Sequence, residues 1–310
     1  MNRHEVDLSV VLGKIRLRNP VMPSSGTFGY GSEYADFINL RDLGAIVVKG
    51  TTLHPRLGNF QNRFTEIAGC ASFFTIGLQN VGVEKFIKEK LPFLKTLGTP
   101  VIVNIAGETV EEFIEITECL NEAEGVAGIE LNLCCPNVKK GGAQFCADPD
   151  VVYQTVKAVR KATDLTLMPK VSPAREISLL VKACEEAGAD AICPNYSIMG
   201  MGIDIKTRRS KLGKNMIGAV SGPWKKPVCL RLVWQAAQAT RLAVIGGGGI
   251  TCAEDVLEFL MAGATAVQIG TYNFINPGIT IEVIEGLRRY LMDNGIKKIS
   301  DLVGTFVPSE

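Results

Sequence analysis

The sequence predicts a closed (β/α)8 TIM barrel spanning residues 1–310 as one domain. Three observations predict it. Eight short apolar runs alternate with helical patterns from one end of the chain to the other. No polar linker divides them. The longest glycine run sits near the seventh apolar run, whereas an open doubly wound sheet more often carries its phosphate loop at the first strand.

The strand-like runs are 19–23, 45–48, 101–105, 128–133, 165–171, 191–194, 243–245 and 266–269. They are rich in Val, Ile and Leu and hardly alternate with polar residues, as strands buried on both faces do. Amphipathic segments lie between them. Residues 110–123 gather Val110, Phe113, Ile114 and Leu120 largely on one side. Residues 149–162 start with Asp148 as N-cap and Pro149 at the first helical position. Residues 176–187, 253–262 and 281–294 stop at Gly188, Gly263 and Gly295, and 226–237 continues the alternation. Residues 51–78 and 197–225 are too long for simple loops. Both follow strands, so both belong on the catalytic face, where such lengths are usually functional.

Composition narrows the function. The chain is 46% hydrophobic, so it can bury a large core. Its formal net charge is +1, with no basic surplus for nucleic acid. Charges break up the N-terminus, and no apolar run approaches the roughly 20 residues that cross a bilayer. A soluble cytoplasmic protein is expected. The nine cysteines show neither a C-x-x-C pair nor Cys/His ligand spacing. Most read as small core residues, with neither a disulfide framework nor a self-contained iron–sulfur cluster. No metal site stands out.

Ile245-Gly-Gly-Gly-Gly-Ile250 lies between a strand and a helix, and Gln268-Ile-Gly-Thr271 ends the next strand. The loops after strands seven and eight often hold a phosphate in this fold. Glycines there bring backbone N–H groups close to phosphate oxygens, and Thr271 adds a hydroxyl. Spacing alone does not choose between FMN and a phosphorylated substrate.

The fourth run leads into Leu131-Asn-Leu-Cys-Cys-Pro-Asn137. A cysteine at the C-terminal end of a barrel strand can face the mouth and act as a base if its pKa approaches the working pH. Cys134 and Cys135 should point in different directions. An isolated Cys-Cys pair would read as structural, but here Asn132 and Asn137 flank it and suit a planar polar ligand. Lys49 and Lys170 end apolar runs, where an unpaired charge is costly. The electron-rich N1/O2 edge of a flavin would suit one of them. His4 and His54 are poor catalytic candidates.

Together these motifs resemble the dihydroorotate dehydrogenase family. The matching stretches are Asn19-Pro-Val-Met-Pro-Ser-Ser-Gly26, Val48-Lys-Gly-Thr-Thr-Leu-His-Pro-Arg56, Gly77-Leu-Gln-Asn80, Asn104-Ile-Ala-Gly107, Leu131 to Val138, Ser221-Gly-Pro223 and Gly246 to Thr271. The Thr-Thr-Leu-His-Pro-Arg stretch and Asn137-Val-Lys-Lys-Gly-Gly142 are most similar to the catalytic subunit of the NAD-linked, two-subunit class. The resemblance implies FMN across the barrel mouth. Gly222, Gly248, Gly249, Gly270 and Thr271 would meet its phosphate. Ser25, Gly26, Lys49, Thr51, Asn104, Asn132 and Lys170 would meet its ring or ribityl chain. It also implies Cys135 as the base that takes the C5 proton of dihydroorotate while hydride leaves C6 for flavin N5. The corresponding substrate positions are Lys49, Phe74, Ile76, Gly77, Leu78, Asn132, Asn137, Tyr196 and Ser197. A homodimer is implied, and so is a partner subunit carrying FAD and [2Fe–2S] that takes the electrons away.

The pattern departs from the family in the substrate half. The resemblance implies four asparagines around the pyrimidine. Asn132 and Asn137 are present, but Phe74 and Tyr196 stand at the other two positions, and Ala174 replaces an Asn after Ser172-Pro173. Asn195 is one place from the fourth position, and a one-residue step in an extended segment reverses the side-chain direction. Each unsatisfied buried polar group costs about 1–3 kcal/mol. Two lost asparagines would thus weaken orotate binding roughly 10²- to 10⁴-fold. The expected activity is dihydroorotate oxidation to orotate in pyrimidine (UMP) biosynthesis. The alternative is a paralogous FMN-dependent dehydrogenase or ene-reductase acting on a less polar substrate. A non-enzymatic flavin-binding relic is the third reading, against which both lysines and Cys135 argue.

Overall fold

A computed structural model describes residues 6–67, 71–134, 142–172 and 176–308. The chain opens with an antiparallel hairpin, β1 (Val10–Leu12) and β2 (Ile15–Leu17), ahead of the barrel. The barrel strands are β3 (Val21–Pro23), β4 (Ile46–Thr51), β7 (Val101–Ile105), β8 (Gly128–Asn132), β9 (Thr166–Val171), β10 (Ala191–Pro194), β15 (Ala243–Gly247) and β16 (Ala264–Ile269). Every expected strand run is one of them. They form one parallel ladder in the order β3-β16-β15-β10-β9-β8-β7-β4. The seam between β3 and β4 is joined by the Gly44 N–H, which donates to the Val21 carbonyl at 3.0 Å. Only glycine fits there, because a Cβ on Gly44 would lie 2.2 Å from the Asn19 carbonyl oxygen.

The helices surround this sheet. They are α1 (Val83–Lys85) and α2 (Leu91–Lys95), then α3 (Val110–Asn121), α4 (Pro149–Ala162), α5 (Ile177–Glu186), α6 (Lys226–Ala239), α7 (Ala253–Met261) and α8 (Ile279–Asp293). The Asp148 side chain caps α4 by accepting the Asp150 N–H at 3.0 Å, and the Thr109 hydroxyl accepts the Glu112 N–H at the start of α3. The stop glycines Gly188, Gly263 and Gly295 all take the left-handed backbone that ends a helix. Phe86, Phe113 and Phe259 fill the space between helices and sheet and are fully buried. Truncating a ring of this kind to alanine costs about 3–5 kcal/mol. Among the described residues, no helix is long and apolar enough to cross a membrane.

Two features differ from the sequence expectation. The helical stretch after β4 went unread. Val83, Phe86, Leu91 and Leu94 do face the core, but Pro92 interrupts the pattern. The chain accommodates that proline with a π-helical turn at Phe86–Lys90 between α1 and α2. The second feature is the pair of long stretches on the catalytic face. They are not loops but halves of one antiparallel sheet. From the first come β5 (Phe64–Ile67) and β6 (Ala71–Phe74); from the second come β11 (Ile198–Met201) and β14 (Ile217–Ser221). Their order is β11-β14-β6-β5, with Ala219 opposite Phe74. A small hairpin, β12 (Ile203–Asp204) and β13 (Arg209–Ser210), lies between β11 and β14.

Candidate active site

A cavity of about 310 Å³ opens at the C-terminal ends of the barrel strands, beneath the antiparallel sheet. Three lysines line it, Lys49, Lys170 and Lys225, while none of its described lining residues is Asp, Glu or His. The cavity therefore suits an anionic ligand.

Gly222, Gly247, Gly248, Gly249, Gly270 and Thr271 form one end. Gly248 and Gly249 have φ of +109° and +79°. A Cβ on Gly249 would lie 2.5 Å from the Lys226 backbone nitrogen and 2.7 Å from the Pro223 carbonyl oxygen. The loop is thus wedged against the start of α6, and no larger residue fits. In front of Gly26 and Gly270 there is room: a Cβ would meet nothing within 4 Å at the first and only Ser24, at 3.7 Å, at the second. The Ser72 and Thr271 hydroxyls approach to 3.5 Å across the gap between cover sheet and barrel. Backbone donors, hydroxyls and open space are what a phosphate requires.

The floor is a closed polar network. The Lys170 ammonium donates to Glu130 Oε1 at 3.2 Å and to Gln268 Oε1 at 2.8 Å. The Gln268 amide in turn donates to Glu130 Oε2. Asn104 Nδ2 donates to Glu130 Oε1 at 2.6 Å, and Asn132 Nδ2 to Asn104 Oδ1 at 3.2 Å. Glu130 and Asn104 are wholly buried. Burial works against the charge on Lys170, but the Glu130 carboxylate together with the neighbouring Cys193 and Cys134 outweighs it and holds the ammonium above the usual lysine range. Lys49 pairs with no such carboxylate among the described residues. Burial pulls it below the usual range, partly offset by Glu33, and its ammonium lies 5.9 Å from the centre of the Tyr30 ring.

The wall beside the end of β8 carries Cys134, whose sulfur lies 3.5 Å from Asn132 Oδ1 and 3.6 Å from Asn195 Nδ2. Burial pushes this thiol up, so it stays protonated at neutral pH. Asn195 also donates to the Ser197 hydroxyl at 3.4 Å. Its Oδ1 accepts from the Lys225 ammonium at 3.4 Å.

Almost every expected position that the structure describes lines this one cavity. On the barrel side these are Ser25, Gly26, Lys49, Asn104, Asn132 and Lys170, with the glycine cradle and Thr271. On the cover side they are Phe74, Ile76, Gly77, Leu78, Tyr196 and Ser197. Thr51 is the exception. It is fully buried at the end of β4, outside the lining, and its hydroxyl bonds the Lys49 carbonyl at 3.2 Å. Cys135, Asn137 and Ala174 lie outside the described residues. The expected opposition of Asn195 and Tyr196 does not hold. β10 ends at Pro194, so strand alternation has stopped, and both residues line the cavity. Sequence reading also missed Glu130 and Lys225 as parts of the site, and it named Gln268 and Cys134 in the motifs without giving either a role there. Glu130 was findable, being a charge inside an apolar strand, as Lys170 is.

A sequence profile of the family described as dihydroorotate dehydrogenase matches residues 7–291 of this chain. The catalytic subunit of dihydroorotate dehydrogenase B (NAD(+)) from Geotalea uraniireducens is 49% identical over 302 residues, covering 97% of this chain and 98% of that protein. Its counterpart from a Thermoanaerobacter species is 48% identical, with 97% and 99% covered. A crystal structure of DHODH from Eimeria tenella in complex with ferulenol superposes with a TM-score of 0.80 at 20% identity, covering 96% of this chain and 88% of that one. At that identity the likeness speaks for the fold.

Proposed function

This chain belongs to the dihydroorotate dehydrogenase family, and from that premise we propose that it oxidises dihydroorotate to orotate in pyrimidine (UMP) biosynthesis, with FMN as its cofactor. The observation that carries this reading is the convergence, in one anion-suited cavity, of the glycine cradle with Lys49, Lys170, Asn104 and Asn132. Relatives 47–49% identical across nearly the whole chain favour dihydroorotate over a less polar substrate, although Phe74 and Tyr196 line the cavity.

The residues present fit FMN. Gly222, Gly248, Gly249, Gly270 and Thr271 would hold its phosphate; Ser25, Gly26, Lys49, Asn104, Asn132 and Lys170 would hold the rest. When bound, FMN supplies the hydride acceptor for the C6 hydrogen. The chain supplies the remainder of the chemistry. Cys135 takes the C5 proton, and the cover sheet and barrel together exclude water. Lys170, held charged by Glu130, stabilises negative charge developing at the floor. We assign electron export to a partner subunit carrying FAD and [2Fe–2S], and we read the assembly as a cytoplasmic homodimer joined by that partner. The exposed Met199, Met201 and Ile217 of the cover sheet offer apolar surface beside the mouth for such contacts.

Two measurements test this. Under anaerobic conditions, dihydroorotate should bleach the visible absorbance of the bound flavin within the turnover time. A flavin that stays oxidised would remove dihydroorotate as the substrate. Separately, G249A should weaken FMN binding about tenfold or more. An L-residue at positive φ costs roughly 1–2 kcal/mol before the clash with α6 is counted. Titration of apoprotein by flavin fluorescence reads this, and wild-type affinity in G249A would rule out the cradle.

A further inference from the structure

Lys225, like Lys49, is a cavity lysine with which no described carboxylate pairs. It stands at the N-cap of α6, is 6% exposed, and lines the cavity. Its neighbour Lys226 turns outward to Asp255 at 2.6 Å and Glu258 at 2.7 Å. Lys225 turns inward, where no described carboxylate pairs with it. Among the described residues its ammonium makes one hydrogen bond, to Asn195 Oδ1, and that bond is long at 3.4 Å. The groups that act on its charge are Cys229, Cys134, Lys170 and Cys193, which are thiols and another cation. Burying an ammonium so poorly satisfied is unfavourable unless a ligand completes it. Lys170, by contrast, already has Glu130 and Gln268.

The position of the ammonium indicates which ligand. The stem passes Gly248, with Cδ 3.6 Å from where a Cβ would stand. The head goes beyond the cradle to Asn195, which bonds Ser197 and Cys134. These are groups of the substrate half, beside Tyr196. We propose that Lys225 is a specificity-determining residue that holds the carboxylate of a planar, ring-bearing substrate, taking over anchoring that asparagines at positions 74 and 196 would otherwise give. The assignment rests on the reading above that such a ring enters this cavity.

The test uses FMN-loaded protein and reads ligand binding from perturbation of the flavin spectrum. The probes are two pairs, orotate with uracil and benzoate with benzamide. In wild type the anionic member of a pair should bind more tightly than the neutral one. In K225M the anionic member should weaken by about 10- to 100-fold, as loss of a charge-assisted hydrogen bond predicts, while the neutral one changes less than about twofold. K225Q keeps an amide for Asn195 but carries no charge, so it should behave as K225M does. This separates charge from packing and serves if K225M misfolds. Wild type without a preference for the anion, or K225Q that keeps it, overturns the proposal. So does a loss of FMN affinity with orotate affinity unchanged, which would give the charge to the cofactor phosphate. If dihydroorotate fails to bleach wild type while the benzoate preference exists and vanishes in K225Q, the oxidation reading falls and this one stands.

Discussion

Replacing Cys135 with alanine will slow flavin reduction by dihydroorotate roughly 10²- to 10⁴-fold, the usual worth of a positioned general base. FMN should remain bound, because Cys135 is not among the groups assigned to hold it. Cys134 is buried with its thiol pushed up, and the described lining residues include no histidine or carboxylate. Lys170 is committed to Glu130 and held protonated. Anaerobic stopped-flow reduction measures the effect. In wild type the rate should climb with pH through the thiol range, since only the deprotonated sulfur accepts the proton. In C135A that rise should be absent. A variant that reduces its flavin at the wild-type rate would exclude this cysteine as the base.

Replacing Lys170 with methionine should cost about 3–5 kcal/mol of stability, because it strands the Glu130 carboxylate in a site with no exposure. The double variant K170M/E130Q should recover most of that loss, since the oxygen of the new amide can accept from Asn104 while its NH2 donates to Gln268, whose oxygen is free to turn toward it once Lys170 is gone. Its flavin reduction should stay slow, because the charge at the floor is gone. Denaturant midpoints and single-turnover rates together separate the two roles. If K170M alone is as stable as wild type, the network is not what holds the floor. The sign with pH follows from the raised lysine. Its contribution is complete below the ordinary lysine value, near 10.4, and is lost only as pH rises through the higher folded value. Neutral and mildly alkaline buffers leave it intact.

What the sequence disclosed divides along physical lines. Strands buried on both faces announce themselves as apolar runs, so the barrel ladder was readable throughout. The cradle was readable because Gly248 and Gly249 need backbone angles that few other residues adopt. The cover sheet was not, because Phe74 pairs with Ala219 across nearly half of the chain and no local period encodes that partner. Lys225 was hidden within a Lys-Lys pair that reads as a solvated helix start; only the fold shows that one goes out and the other in. Thr51 shows the converse limit. It belongs to a family motif, but one residue of strand geometry turned its hydroxyl into the backbone. Asn195 was misjudged because alternation was extended past the last paired residue of β10.

The cover sheet has a consequence for how such a protein can diverge. In the floor, Glu130, Lys170, Gln268, Asn104 and Asn132 each satisfy another member, so a change at one demands a simultaneous change at a second. The roof is stitched mainly by backbone ladders, which are indifferent to side-chain identity. Phe74 keeps its place in the ladder whatever side chain it carries. Mutational drift is thus steered into the roof, and new ligand preferences can accumulate there while the inherited electron-transfer floor stays fixed.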